Sequence, residues 1–185
     1  MNTLLDILES SAARFGRKPA LLIKPGFRTR VWSYRQLADV VPRVARVFHD
    51  AGIAKDDRVV IWAVNRPEWG IAFFGALHAG AVLVPLDTRS LTEFAAKVVE
   101  KTRATAVIAS KQTEAEARKL GLPVHLIEEL PDRSRGSVPL AKPDLTGDDL
   151  VEIVFTSGTT GDPKGAMLTR GNTLTFKLYD FQEGL

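Results

Sequence analysis

The sequence contains no cysteine. Disulfides, thiolate metal sites and cysteine nucleophiles are therefore excluded, and a reducing compartment is permitted. Histidine is scarce: His49, His78 and His125 stand far apart, without ligand spacing, and read as surface or satisfied core. No uninterrupted membrane-length apolar run occurs. Trp69 to Leu86 carries no formal charge, but Gly70, Gly75, His78, Gly80 and Pro85 break it. It divides into a helix opened by Pro67 and closed by Gly80, followed by the strand "AVLV". The start, "MNTLLDILESSAARFG", lacks a basic n-region and reads as an amphipathic helix with Leu4, Leu5, Leu8, Ala12 and Phe15 on one face. Excess charge is small, +3, and the lysines and arginines read as scattered, so no nucleic-acid stripe is expected. Trp32, Trp62 and Trp69 fit packing better than the base-stacking platform a nucleic acid would need.

What is present is an ordinary globular composition of 185 residues, 45% apolar and 25% charged, enough for one buried core. Strand and helix signals alternate. Ser33 precedes a helical stripe of Leu37, Val40, Val41, Val44, Val47, Phe48 and Ala51, and Gly52 closes it. "RVVIWAV" (58–64), "AVLV", "TAVIA" (105–109) and "PVHLI" (123–127) read as buried strands. Between them fall the Pro67 helix, a helix opened by a capping box of Ser90 and Glu93, and a charged helix over 112–120. This repetition predicts an α/β layered fold, a parallel sheet with crossover helices. The segment 131–149, rich in proline, glycine, serine and charge, reads as a surface linker between an α/β unit at 1–130 and a last segment at 150–185. Asp148, Asp149 and Glu152 alternate along the chain, so they cap and solvate a turn rather than converge on a metal.

The last segment carries the strongest chemical signal. A strand, "LVEIVF" (150–155), runs into "TSGTTGDPKGAMLTRGN", and Thr169 with Asn172 is placed to start another helix. Thr156, Ser157, Thr159 and Thr160 supply hydroxyls, Gly158 and Gly161 let backbone amides approach a ligand, and Lys164 supplies a positive charge. Such a cradle suits a polyphosphate. Asp162–Pro163 fits an outward-facing turn, because a carboxylate inside would repel the ligand. The Walker A pattern does not fit. Counting from Gly158, Pro163 stands where that loop needs glycine, and Gly165 follows the lysine where the magnesium-binding hydroxyl belongs.

"FTSGTTGDPKGAMLTRGN" resembles the phosphate-binding signature of the adenylate-forming (AMP-binding) superfamily. "WSYRQLADVVPRVARVFHDAGIAKDDRVVIWAVNRPEWGIAFFGALHAGAVLVPLD" is similar to the amino-terminal half-domain of the same enzymes. Thr159–Thr160 and the "NRPEW" turn look most like long-chain fatty acyl-CoA ligases. The resemblance implies the amino-terminal portion of the acyl-adenylate-forming fold. It also implies a two-step reaction: a carboxylate attacks the α-phosphorus of ATP, and the coenzyme A thiol then displaces AMP. Thr156, Ser157, Gly158, Thr159, Thr160, Gly161 and Lys164 would hold the β- and γ-phosphates, with ATP, Mg2+ and coenzyme A used by the full-length parent. The family's downstream motifs, including an aromatic-Gly-x-Thr-Glu segment and a lysine in a small carboxy-terminal domain, have no counterpart here. The expectation is therefore an amino-terminal fragment that alone neither adenylates nor transfers, cytoplasmic or peripheral at a membrane, without catalytic residues of its own. A stand-alone nucleotide- or phosphate-binding module, or half of a split enzyme, is the other reading.

Overall fold

A computed structural model describes residues 3–24, 26–156 and 162–173. Helix α1 (Leu4–Phe15) opens at Thr3, whose hydroxyl accepts from the Asp6 amide while Asp6 accepts from the Thr3 amide. Strands β1 (Pro19–Ile23) and β2 (Arg30–Ser33) form a separate antiparallel hairpin. Helix α2 (Tyr34–Asp50) starts with a reciprocal cap between Ser33 and Gln36. It buries Leu37, Val40, Val41, Val44, Val47 and Phe48, the stripe its spacing predicts; Ala51 lies exposed just beyond its end.

The remaining strands build one six-stranded sheet: β3 (Arg58–Trp62), β4 (Val82–Pro85), β5 (Ala106–Ala109), β6 (Val124–Leu126), β7 (Leu150–Thr156) and β8 (Lys164–Thr169), in the spatial order β6-β5-β3-β4-β7-β8. All neighbours run parallel except β7 and β8. Helices α3 (Pro67–His78), α4 (Thr92–Thr102) and α5 (Glu114–Arg118) make the crossovers, and the short α6 (Leu130–Arg133) follows β6. The α/β layered fold with crossover helices is what the structure shows.

Alternation along the strands sets the layers. Val59, Ile61, Leu83, Ala106 and Ile108 face α1, α2 and α3, while Val60, Trp62, Val84, Val107 and Ala109 face α4 and α5. Close packing of α2 on α3 depends on Gly75, where a Cβ would lie 2.6 Å from Val44 Cγ1. Val151 faces the first layer and Ile153 and Phe155 the second, because a bulge between Leu150 and Glu152 reverses the faces of β7.

Two details differ from the sequence reading. Ser90 and Glu93 form no capping box: α4 begins one residue later than that cap requires, at Thr92, with Leu91 at its N-cap and no side-chain cap. Asp87 wins the competition for this segment. Its carbonyl accepts from the Ser90 amide, its carboxylate accepts from the Arg89 amide, and the Thr92 hydroxyl turns to Glu116. The β1–β2 hairpin is the second difference, since no strand was expected over 19–33. The connection after α6 lies tied to the helical layer: Arg43 donates to the Ser137 carbonyl (2.7 Å), and the Leu140 amide donates to the Pro42 carbonyl (2.9 Å). Asp149 closes the following turn, accepting from the Thr146 amide and hydroxyl and pairing with Lys55 at 3.1 Å. Those contacts hold its carboxyl below the usual range.

Candidate anion-binding hairpin

Ligands of open α/β sheets commonly sit beyond the carboxyl ends of the strands, at the point where strand order reverses. In this sheet that point lies between β3 and β5. It is filled. Thr113 is buried there and donates to the Trp62 carbonyl, while its hydroxyl accepts from the Ser110 amide (3.1 Å). Ser110 is fully buried and accepts from the Val64 amide at 3.4 Å. The two hydroxyls lie 3.1 Å apart, so both are engaged with backbone groups and with each other rather than free for a ligand.

One strand pair away the same edge is open. A cleft of about 380 Å3 lies beyond β3, β4 and β7, lined by Ala63, Asn65, Trp69, Asp87, Val154 and Phe155 among others. Asp87 is ionised there at all ordinary pH: the Arg89 guanidinium, hydrogen-bonded to it at 2.8 and 3.0 Å, pulls its carboxyl down to about 2. Adjacent to this cleft rises the β7–β8 hairpin. Its register puts Phe155 opposite Gly165 and Thr156 opposite Lys164. Directly opposed residues in an antiparallel ladder lie within about 4.5–5.5 Å at Cα. The loop 157–163 thus leaves the sheet from Thr156 and returns at Lys164. Both are exposed, and the Lys164 ammonium has no ion-pair partner among the described residues.

Two contacts set the return of the loop. Gly165 is required by packing: a Cβ there would come within 2.9–3.0 Å of Phe155 and Ile153 side-chain atoms. Lys101, in the last turn of α4, donates to the Pro163 carbonyl at 2.9 Å and anchors the buried proline that precedes Lys164. Asp162 is exposed. Thr169 accepts from the Asn172 amide at 3.3 Å, and residues 170–173 turn helical from there.

Of the residues singled out in the sequence, Thr156 and Lys164 are brought face to face; Ser157, Gly158, Thr159, Thr160 and Gly161 lie outside the described residues. Lys101 was missed, and no spacing signal could have found it, because it belongs to a different crossover unit. The histidines hold no common centre. His78 is buried with its Nε2 2.9 Å from the Leu140 carbonyl, and His125 is buried edge-on to Phe48. Burial pushes both below the ordinary histidine pKa. Among the described residues no group of three acidic or histidine side chains is placed to hold a metal ion, and no helix is long and apolar enough to cross a membrane.

The chain is a three-layer α/β domain whose sheet ends in the β7–β8 hairpin, with a glycine- and threonine-rich sequence between those two strands. The chain belongs to the AMP-binding enzyme family, whose model matches residues 8–183. It is 33% identical over 190 residues to the crotonobetaine/carnitine–CoA ligase of Salmonella paratyphi A; the match covers 91% of this chain and 37% of that ligase. The chain thus spans little more than a third of the curated relatives it matches. Among solved structures it is similar to the N-terminal subdomain of Klebsiella oxytoca NpsA in complex with 3-hydroxyanthranilyl-AMSN (26% identity, TM-score 0.79, 92% of this chain and 41% of that one). The fold is also that of the L. pneumophila fatty acyl-adenylate ligase in complex with acyl adenylate and pyrophosphate (23% identity, TM-score 0.81, 94% of this chain and 31% of that one).

Proposed function

We propose that this chain is the polyphosphate-gripping, amino-terminal portion of an ATP-dependent acid–CoA ligase. The observation that carries the reading is the β7–β8 register, which sets Thr156 and Lys164 across from one another at the two feet of the loop. An exposed ammonium with no ion-pair partner among the described residues, beside a hydroxyl, is a donor set suited to an anion. In the reaction the attacking carboxylate forms a bond to the α-phosphorus, the bond to the bridging oxygen breaks, and pyrophosphate leaves. Negative charge grows on that leaving group, so donors fixed around it stabilise the transition state more than the ground state. Lys164 supplies the charge, and Thr156 with Ser157, Thr159 and Thr160 supplies hydroxyls. Gly158 and Gly161 admit backbone amides. Lys101 acts at one remove by fixing the loop's return through Pro163.

Among the described residues no three acidic or histidine side chains are placed to hold a metal ion, and no step is assigned to one. Coenzyme A would act in the second step, and its thiol chemistry belongs to the parts that longer relatives possess. We read the acid substrate as a long-chain fatty acid, on the resemblance of Thr159–Thr160 and "NRPEW"; the 33% identity to a crotonobetaine/carnitine–CoA ligase favours a short, charged acid as the second reading. The 185-residue chain by itself is expected to bind polyphosphate without forming an acyl-adenylate. Calorimetric titration with inorganic tripolyphosphate tests this. Binding by the chain, weakened about tenfold or more in Lys164→Ala, supports the reading; equal affinity in chain and variant contradicts it. Exchange of labelled pyrophosphate into ATP by the chain alone, with a fatty acid present, would overturn its inactivity.

A further inference from the structure

The cations that read as scattered along the sequence are in fact concentrated in one acid-free stretch near its start, and this corrects the earlier expectation. Between Glu9 and Asp39 the chain has no acidic residue but seven cations: Arg14, Arg17, Lys18, Lys24, Arg28, Arg30 and Arg35. With +3 for the whole chain, everything else nets −4. All seven side chains are exposed, and none forms an ion pair among the described residues. Arg14 and Lys18 only flank the Phe15 ring, at 5.1 and 5.7 Å from its centroid. Elsewhere nine lysines and arginines are engaged in ion pairs among the described residues. A concentration of unpaired charge of one sign is a field directed at a partner, not one neutralised by the protein.

The second observation is apolar. The inner face of the β1–β2 hairpin is covered: Leu21 and Trp32, register partners, pack against the main core. The outer face should then be polar. It carries instead the register pair Leu22 and Val31, 65% and 46% exposed, and beyond them Phe27, exposed over its whole surface. Lys24, Arg28 and Arg30 border these three in the chain.

We propose that the β1–β2 hairpin is a docking element for an anionic lipid surface, with Phe27 entering the headgroup boundary, Leu22 and Val31 following it, and the surrounding lysines and arginines bound to lipid phosphates. Aliphatic residues and one aromatic at a turn, framed by cations, match the apolar-plus-basic chemistry of interfacial binding. A nucleic acid fits less well. Leu22 and Val31 offer no stacking surface for bases, and a single ring is not a platform for successive ones. This inference does not depend on the phosphate-loop reading.

The test is co-sedimentation of the chain with vesicles of phosphatidylcholine alone and of phosphatidylcholine with one quarter phosphatidylglycerol, at low and high salt. The chain is expected to pellet with the anionic vesicles and not with the neutral ones, and to be released by salt. Charge reversal in K24E/R28E is expected to weaken partition on the order of a hundredfold, and Phe27→Ser about tenfold. Both changes lie on exposed positions, and an unchanged thermal midpoint verifies that the variants remain folded. Absence from the anionic pellet, or partition unchanged in both variants, overturns the proposal. So does tighter binding to a single-stranded oligonucleotide than to the vesicles. Loss on charge reversal with no effect of Phe27→Ser overturns insertion, and with it the docking element as stated.

Discussion

Two crevices share the carboxyl edge of one sheet and have opposite fates. Between β3 and β5, where strand order reverses, Ser110 and Thr113 spend their hydroxyls on the backbone of Trp62, Ser110 and Val64. Beyond β4 and β7 the edge stays open, and in the adjoining hairpin Thr156 and Lys164 are exposed and carry no such duty among the described residues. The topological rule for α/β sheets points to the first crevice; the hydrogen-bond accounting points to the second. A polar group can hold a ligand only if the fold has not already used it.

Breaking the sealed crevice should cost stability and nothing else. Thr113→Val keeps the shape but orphans the Trp62 carbonyl and the Ser110 amide, with an expected loss of about 2–4 kcal/mol. Denaturant unfolding measures it, and tripolyphosphate affinity should stay unchanged. Gly165→Ala acts at the open side. Its new methyl would collide with Phe155 and Ile153, destabilising by about 1–3 kcal/mol while also displacing Lys164, so both the thermal midpoint and anion affinity should fall. Lys101→Met removes the tie to Pro163 and should weaken tripolyphosphate binding by only about threefold to fivefold, since one hydrogen bond at an exposed site is worth about 1 kcal/mol or less. Its unfolding midpoint should hardly move, and Lys101→Arg should restore affinity; a loss of stability without loss of affinity would make the residue merely structural.

The smallest effect is a pH dependence that belongs to neither crevice. Burial lowers the pKa of His78 and His125 in the folded chain. The unfolded chain therefore binds protons first as pH falls. Stability from these residues is complete above their ordinary value of about 6.5 and declines through and below it toward the folded values. The thermal midpoint should drop between pH 7.5 and 5.5, and His125→Phe should flatten part of that drop.

The layered architecture was legible because its strands are buried on both faces and its helices carry stripes; the predicted strands differ from the observed ones by at most two residues at either end. What failed depended on competition between local partners. Ser90 and Glu93 have the spacing of a cap, yet Asp87 organises the turn before them. The β1–β2 hairpin escaped notice because its outer face is apolar, so "ALLI" and "VW" show no alternation. At the site, residue types announced a phosphate cradle, but the pairing of Thr156 with Lys164 needed the register, and the contribution of Lys101 needed the packing of α4 beside the hairpin. The run of seven cations without an acidic residue stood in the sequence, but its meaning did not. Exposure and the lack of partners are properties of the fold, not of spacing.

The most direct measurement is amide NMR of the chain during titration with inorganic tripolyphosphate. The account predicts that the signals of Thr156, Lys164 and Gly165 move in proportion to occupancy while those of Val64, Ser110 and Thr113 stay in place. Movement centred on Ser110 and Thr113, or no movement at Lys164, would contradict it.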